Sequence, residues 1–181
     1  MPFTENNPCD KPLSIYAASK RAGELLASVY HSSFGLPITV LRFFTVYGPW
    51  GRPDMALFTF TAKMLAGEPI ELYNGGDMKR DFTYVGDIVE GFVRALDKPM
   101  GFEILNLGRG VPVALRDFVS VLEKALAVTA RIVEKPMQPG DMKETYASVE
   151  KAKRERGFTA QVGIEEGVQK FVAWYRSYFN V

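Results

Sequence analysis

Two apolar periodicities meet within residues 16–44, and together they point to a layered fold. Ala18, Ala22, Leu25, Leu26, Val29 and Tyr30 recur at three- and four-residue intervals, the signature of one helix face. Ile38-Thr39-Val40-Leu41-Arg42-Phe43-Phe44 is instead a β-branched and aromatic run that reads as a mostly buried strand. Between them, Gly35 suits a left-handed cap and Pro37 cannot continue a helix, so the helix should stop near Phe34. The same alternation continues. A Gly/Pro loop (Gly48, Pro49, Gly51, Pro53) precedes a helix over 56–66 closed by Gly67. Residues 70–73 and 81–85 read as short strands around the turn-prone Asn74-Gly75-Gly76-Asp77, which makes them candidate hairpin partners. A helix marked by Ile88, Phe92, Val93 and Leu96 takes Asp87 as N-cap, followed by a strand over 102–107, a helix over 115–127 and a strand over 131–135. Helices over 148–156 and 164–179 end the pattern, the second with Ile164, Val168, Phe171, Val172 and Tyr175 on one face. Helices alternating with strands define the α/β class.

Composition narrows the chemistry. A chain of 181 residues with 47% hydrophobic and 24% charged residues can bury a core and is not disordered. Its net charge of +1 supplies no field to hold a nucleic acid or an anionic membrane. Lys151, Lys153, Arg154 and Arg156 alternate with Glu150 and Glu155, as on a solvated helix face. One Cys and one His cannot form a disulfide within the chain or a tetrahedral zinc site of thiolates and imidazoles. The first eight residues lack the positive start and apolar stretch of a signal peptide, and the apolar run Ile38–Val46 is short and broken by Arg42. With a reduced Cys9, the expected location is the cytoplasm. Trp174, Tyr175 and Phe179 read as core or interface, and Gly108-Arg109-Gly110 as a turn.

Tyr16 and Lys20 are one helical turn apart, which puts a phenol and an ammonium on one face. A neighbouring cation favours the phenolate that a tyrosine base requires. Spacing alone carries little weight: with 8 Tyr and 11 Lys in 181 residues, chance supplies about 0.5 such pairs. The neighbours decide. Ser14-Ile15-Tyr16-Ala17-Ala18-Ser19-Lys20, Leu41-Arg42-Phe43-Phe44-Thr45-Val46-Tyr47-Gly48-Pro49, Lys79-Arg80-Asp81-Phe82-Thr83-Tyr84-Val85-Gly86-Asp87 and Pro139-Gly140-Asp141 follow one another. In order and spacing they resemble the extended short-chain dehydrogenase family of nucleotide-sugar epimerases and dehydratases. Gly48-Pro49-Trp50-Gly51-Arg52-Pro53-Asp54-Met55-Ala56 is similar, more specifically, to the UDP-glucuronate 4-epimerases.

The resemblance implies the C-terminal portion of a Rossmann-type fold with a small α/β substrate domain. Residues 1–50 would be the Rossmann remnant and 51–181 mostly the substrate domain. It implies NAD as cofactor and a UDP-sugar as substrate, with no metal. Tyr16 would be the base at sugar carbon 4 and Lys20 the holder of the cofactor ribose, with Phe44 against the nicotinamide. Thr45 and Arg52 would hold the sugar carboxylate, Arg80 the diphosphate and Asp141 the uridine ribose. Plain alternatives stand beside these roles: Arg80 paired with Asp81 at a strand edge, Asp141 as a turn residue, Thr45 as a strand residue and Arg52 as a solvated cation. A Gly-rich turn for the pyrophosphate and an upstream catalytic Ser or Thr are absent. The chain alone is therefore expected to be inactive and to bind NAD weakly, and to pair with a second copy or with a complementing N-terminal half. A non-catalytic sugar-nucleotide module and a UDP-sugar decarboxylase or dehydratase are the alternative functions.

Overall fold

The computed structural model describes residues 1–181 apart from Pro139, so that member of the Pro139-Gly140-Asp141 run lies outside the described residues. In chain order the first half contains α1 (Ile15–Phe34), β1 (Ile38–Phe43), β2 (Thr45–Tyr47), α2 (Ala56–Leu65), β3 (Ile70–Tyr73), β4 (Lys79–Arg80) and β5 (Phe82–Tyr84). The second half contains α3 (Val85–Asp97), β6 (Phe102–Leu107), β7 (Val113–Ala114), α4 (Leu115–Leu126), β8 (Ile132–Lys135), β9 (Glu144–Thr145), α5 (Glu150–Arg156) and α6 (Ile164–Phe179).

The ends of α1 follow the local chemistry. Ser14 caps it, its Oγ accepting the Ala17 N–H at 3.1 Å, and Gly35 closes it at φ 67° with its N–H donated to the His31 carbonyl. β1 pairs in parallel with β6, Ile38 opposite Phe102 and Phe43 opposite Leu107. β2 pairs in parallel with β5, and β3 in parallel with β8. β4 lies between β7, antiparallel, and β9, parallel. Parallel pairs joined through helices make this an α/β fold.

The main core gathers α2, α4 and α6 around β3 and β5, with Phe118, Leu122, Val168 and Phe171 buried. Phe82 stacks on Phe118 with centroids 4.3 Å apart. A smaller cluster joins Ile88, Leu107, Ala152 and Phe158.

Three expectations are corrected. Residues 70–73 and 81–85 form no hairpin: Asn74, Gly75 and Gly76 all take positive φ in a 3-10 turn, which sends the chain away from β3 into β4. A parallel partner, β8, completes β3 instead. Asp87 is not the N-cap of α3. Tyr84 holds that position, while Asp87 is buried in the first turn and accepts the Val162 N–H at 3.0 Å. The strand at 38–43 is only half-buried, since β6 covers one edge, and no residue of α1 is fully buried. Leu25, Leu26, Val29 and Tyr30 are each more than half exposed, so the apolar stripe of α1 faces outward. Among the described residues no helix is long and apolar enough to cross a membrane.

Candidate active site

Tyr16 and Lys20 share the face of α1 that the one-turn spacing demands. Lys20 Nζ lies 5.2 Å from the Tyr16 ring centroid, and the phenol is exposed. Both line a groove of about 630 Å³ together with Phe43, Glu24 and Arg42. Arg42 on β1 fastens α1 there. Its Nε and Nη2 donate to the two Glu24 oxygens at 2.7 and 2.8 Å, and Nη1 reaches the Glu5 carbonyl at 3.3 Å. The hydrogen bond from Arg42 holds the Glu24 carboxyl below its ordinary value, against the opposing effect of burial. Phe44 sits half-buried at the joint between β1 and β2, its N–H donated to the Leu107 carbonyl at 3.3 Å.

A second cleft, of about 460 Å³, lies where α2, β3 and β4 converge, and Thr45, Arg80 and Asp141 all line it with Lys63 and Tyr73. Such a volume falls within the range of small-molecule sites. Arg80 Nη2 donates to Asp141 Oδ1 at 2.8 Å, and Nη1 to the Lys79 carbonyl at 2.9 Å. Arg80 therefore pairs with a residue 61 positions away rather than with its neighbour Asp81, which corrects the strand-edge alternative.

Asp81 turns the other way and is fully buried. Its carboxylate accepts the N–H groups of Arg109 (2.9 Å), Gly110 (2.9 Å) and Ala147 (3.0 Å) and the Thr83 hydroxyl (3.0 Å). Gly108 makes this possible, because a Cβ there would stand 2.7 Å from Asp81 Oδ2. The Gly108-Arg109-Gly110 turn is thus clamped on the buried Asp81 side chain, next in the chain to Arg80.

Thr45 also lines a smaller pocket with Arg52, Tyr47 and Met55. Arg52 is exposed and paired with Asp54, Nε to Oδ1 at 3.0 Å. That hydrogen bond raises the guanidinium above its ordinary value. Tyr16 and Lys20 line the first groove and Arg52 the smaller pocket, and the two share no lining residue. Tyr47, in contrast, donates its OH to the Gly163 carbonyl at 3.2 Å, and burial pushes this phenol up, away from any role as a base.

The parallel pairs with helices between them, the Tyr–Lys pair and the Arg80–Asp141 cleft define a class. Residues 1–108 match the family model described as NAD dependent epimerase/dehydratase family, and the chain belongs to that family. It is 47% identical, over 97% of its length, to an uncharacterized protein of Methanocaldococcus jannaschii, of which it covers 54%. It is 45% identical, over 99% of its length, to UDP-glucuronate 4-epimerase 1 of Arabidopsis thaliana, of which it covers 46%. Among solved structures, UDP-glucuronic acid 4-epimerase from Bacillus cereus in complex with UDP-glucuronic acid and NAD superposes with a TM-score of 0.92 at 33% identity, over 98% of this chain and 57% of that one. The chain thus spans about half the length of the relatives it matches.

Sequence reasoning missed Phe43, Lys63, the Glu24–Arg42 tie and the Asp81 clamp. Arg42 inside an apolar strand was the one available signal, because a charge there needs a partner. Nothing local distinguishes the inward Asp81 from the outward Arg80.

Proposed function

We propose that this chain supplies the Tyr–Lys pair and the sugar-nucleotide-recognising portion of an NAD-dependent UDP-sugar 4-epimerase, with UDP-glucuronate as substrate. One arrangement carries the reading: Thr45 lines both the Arg80–Asp141 cleft and the Arg52 pocket, so the two recesses meet at one residue. A diphosphate at Arg80 and a uridine ribose at Asp141 would lead an acidic sugar past Thr45 to Arg52. A guanidinium grips a carboxylate through two parallel hydrogen bonds, which suits Arg52 once Asp54 yields to the substrate.

Tyr16 then removes the proton from the hydroxyl at carbon 4, and Lys20 favours its phenolate and holds the cofactor ribose. The residues fit one end of a dinucleotide: Tyr16 and Lys20 line a groove with Phe43, and Phe44, the next residue along the chain, is assigned to the nicotinamide side. When bound, NAD supplies a hydride acceptor and donor at carbon 4, so the centre inverts without net oxidation. The sequence contains no Gly-rich strand-to-helix turn for the pyrophosphate. Residues 1–50, whose β1 pairs in parallel with β6, are assigned to a Rossmann portion and 51–181 mostly to the substrate domain, with the cytoplasm as the expected location. The outward apolar stripe of α1 supports a partner, either a second copy or a complementing N-terminal half.

Calorimetric titration of the purified chain tests the reading. UDP-glucuronate should bind more tightly than UDP-glucose, and Arg52→Ala should abolish that preference; an unchanged preference removes Arg52 from the carboxylate role. NAD should bind weakly and turnover should be absent, so micromolar NAD affinity would overturn the view that the pyrophosphate site is incomplete.

A further inference from the structure

We propose that Trp50, clamped on α6, is the positioning residue for Arg52, so that the C-terminal helix sets the chain's preference for acidic sugars. The inference rests on the carboxylate role given to Arg52 above. Trp50 takes φ 62°, a left-handed conformation that is strained for a bulky side chain. Such outliers persist only where surrounding structure holds them. Here the indole packs on two rings of α6, Trp174 at 5.3 Å and Tyr178 at 5.2 Å between centroids. Those two rings stack on each other at 5.5 Å, and Phe58 meets Trp174 from α2. Trp174 Nε1 is buried with no hydrogen-bond partner among the described residues, so the cluster is held by ring contact alone.

The loop around Arg52 has few other ties. At its start Gly48 lies against Val85, where a Cβ would stand 2.6 Å from Cγ1, and at its end the Pro53 carbonyl accepts the Thr59 hydroxyl at 3.2 Å. Between these ends, among the described residues, no hydrogen bond links residues 49–52 to another element: Arg52 bonds only to Asp54 and, through its carbonyl, to the Met55 N–H. The Trp50 stack is the contact that fixes where the backbone turns two residues before the guanidinium. Although it makes this contact, Trp50 remains 74% exposed, so its removal opens no cavity in the core.

Trp50→Gly separates positioning from stability, because Gly accepts positive φ without strain while it deletes the stack. In the 181-residue chain, amides of residues 51–55 in this variant should exchange about tenfold faster, with α4 and α6 core amides unchanged. Its UDP-glucuronate over UDP-glucose binding ratio should fall toward that of Arg52→Ala, and UDP-glucose affinity should stay within about twofold. Trp50→Phe, which retains a ring, should restore both. Near-UV circular dichroism should lose the signal of the tryptophan pair in Trp50→Gly. Unchanged loop exchange in Trp50→Gly overturns the inference. So does an intact binding ratio in that variant when Arg52→Ala has lost it. A ratio that survives Arg52→Ala instead overturns the carboxylate role itself.

Discussion

Replacing Glu24 by Gln is expected to detach α1 locally while the rest of the chain stays folded. No residue of α1 is fully buried, and a helix in a protein owes most of its stability to tertiary packing. The charged tie of α1 to β1 is the two-point contact from Arg42, with side chains 20% and 12% exposed. A fully buried pair costs about 3–5 kcal/mol to break and an exposed one about 0–1, so a value near 2 kcal/mol fits this intermediate burial. That amounts to about a 30-fold rise in the open population of α1. Hydrogen exchange should show protection over residues 22–31 falling by this factor at pH 7, with α4 and α6 unaffected. The pH dependence follows from the depressed Glu24 carboxyl: its contribution is full above the ordinary value of 4.5 and is lost as pH falls through the lower folded value. Wild type and variant should therefore converge in acid. Equal protection of α1 in the two proteins at pH 7, or an equal loss in α4, would refute the argument.

Two further substitutions probe the scaffold. Asp81→Asn keeps the shape of the clamp but turns an NH₂ toward backbone N–H groups that donate to both carboxylate oxygens, and should cost about 3 kcal/mol. For a chain of this length that is a thermal midpoint about 6–12 °C lower, measurable by calorimetry, and a shift under 2 °C would contradict the role of the buried charge. Gly23→Ala should act in the opposite direction, since a Cβ at that position of α1 meets nothing within 4 Å. The gain is about 1 kcal/mol of helix propensity, visible as slower exchange in α1; faster exchange would show that this face is already covered.

The alternation of helix and strand was legible because it rests on neighbours within four residues. Ser14 and Gly35 bound α1, and the stripe from Ile164 to Tyr175 predicted the buried face of α6, where the structure has both. The candidate residues were legible through their resemblance to a family, and three of them, Thr45, Arg80 and Asp141, line one cleft. Phe44 keeps its expected place beside the nicotinamide as a proposal, while its neighbour Phe43 lines the Tyr16 groove, since successive side chains of a strand point to opposite faces.

Residue type and local spacing sufficed for where helices begin and end, because caps and propensities act over a single turn. Strand partners, the direction of a charge and the cover on a face depend on groups brought together from distant parts of the chain. Thus β3 takes β8 rather than the nearer β5, and Asp81 turns to backbone amides 28 to 66 residues away while Arg80 turns to Asp141. The apolar stripe of α1 reads in sequence like that of any buried helix, and only the tertiary arrangement leaves it facing outward.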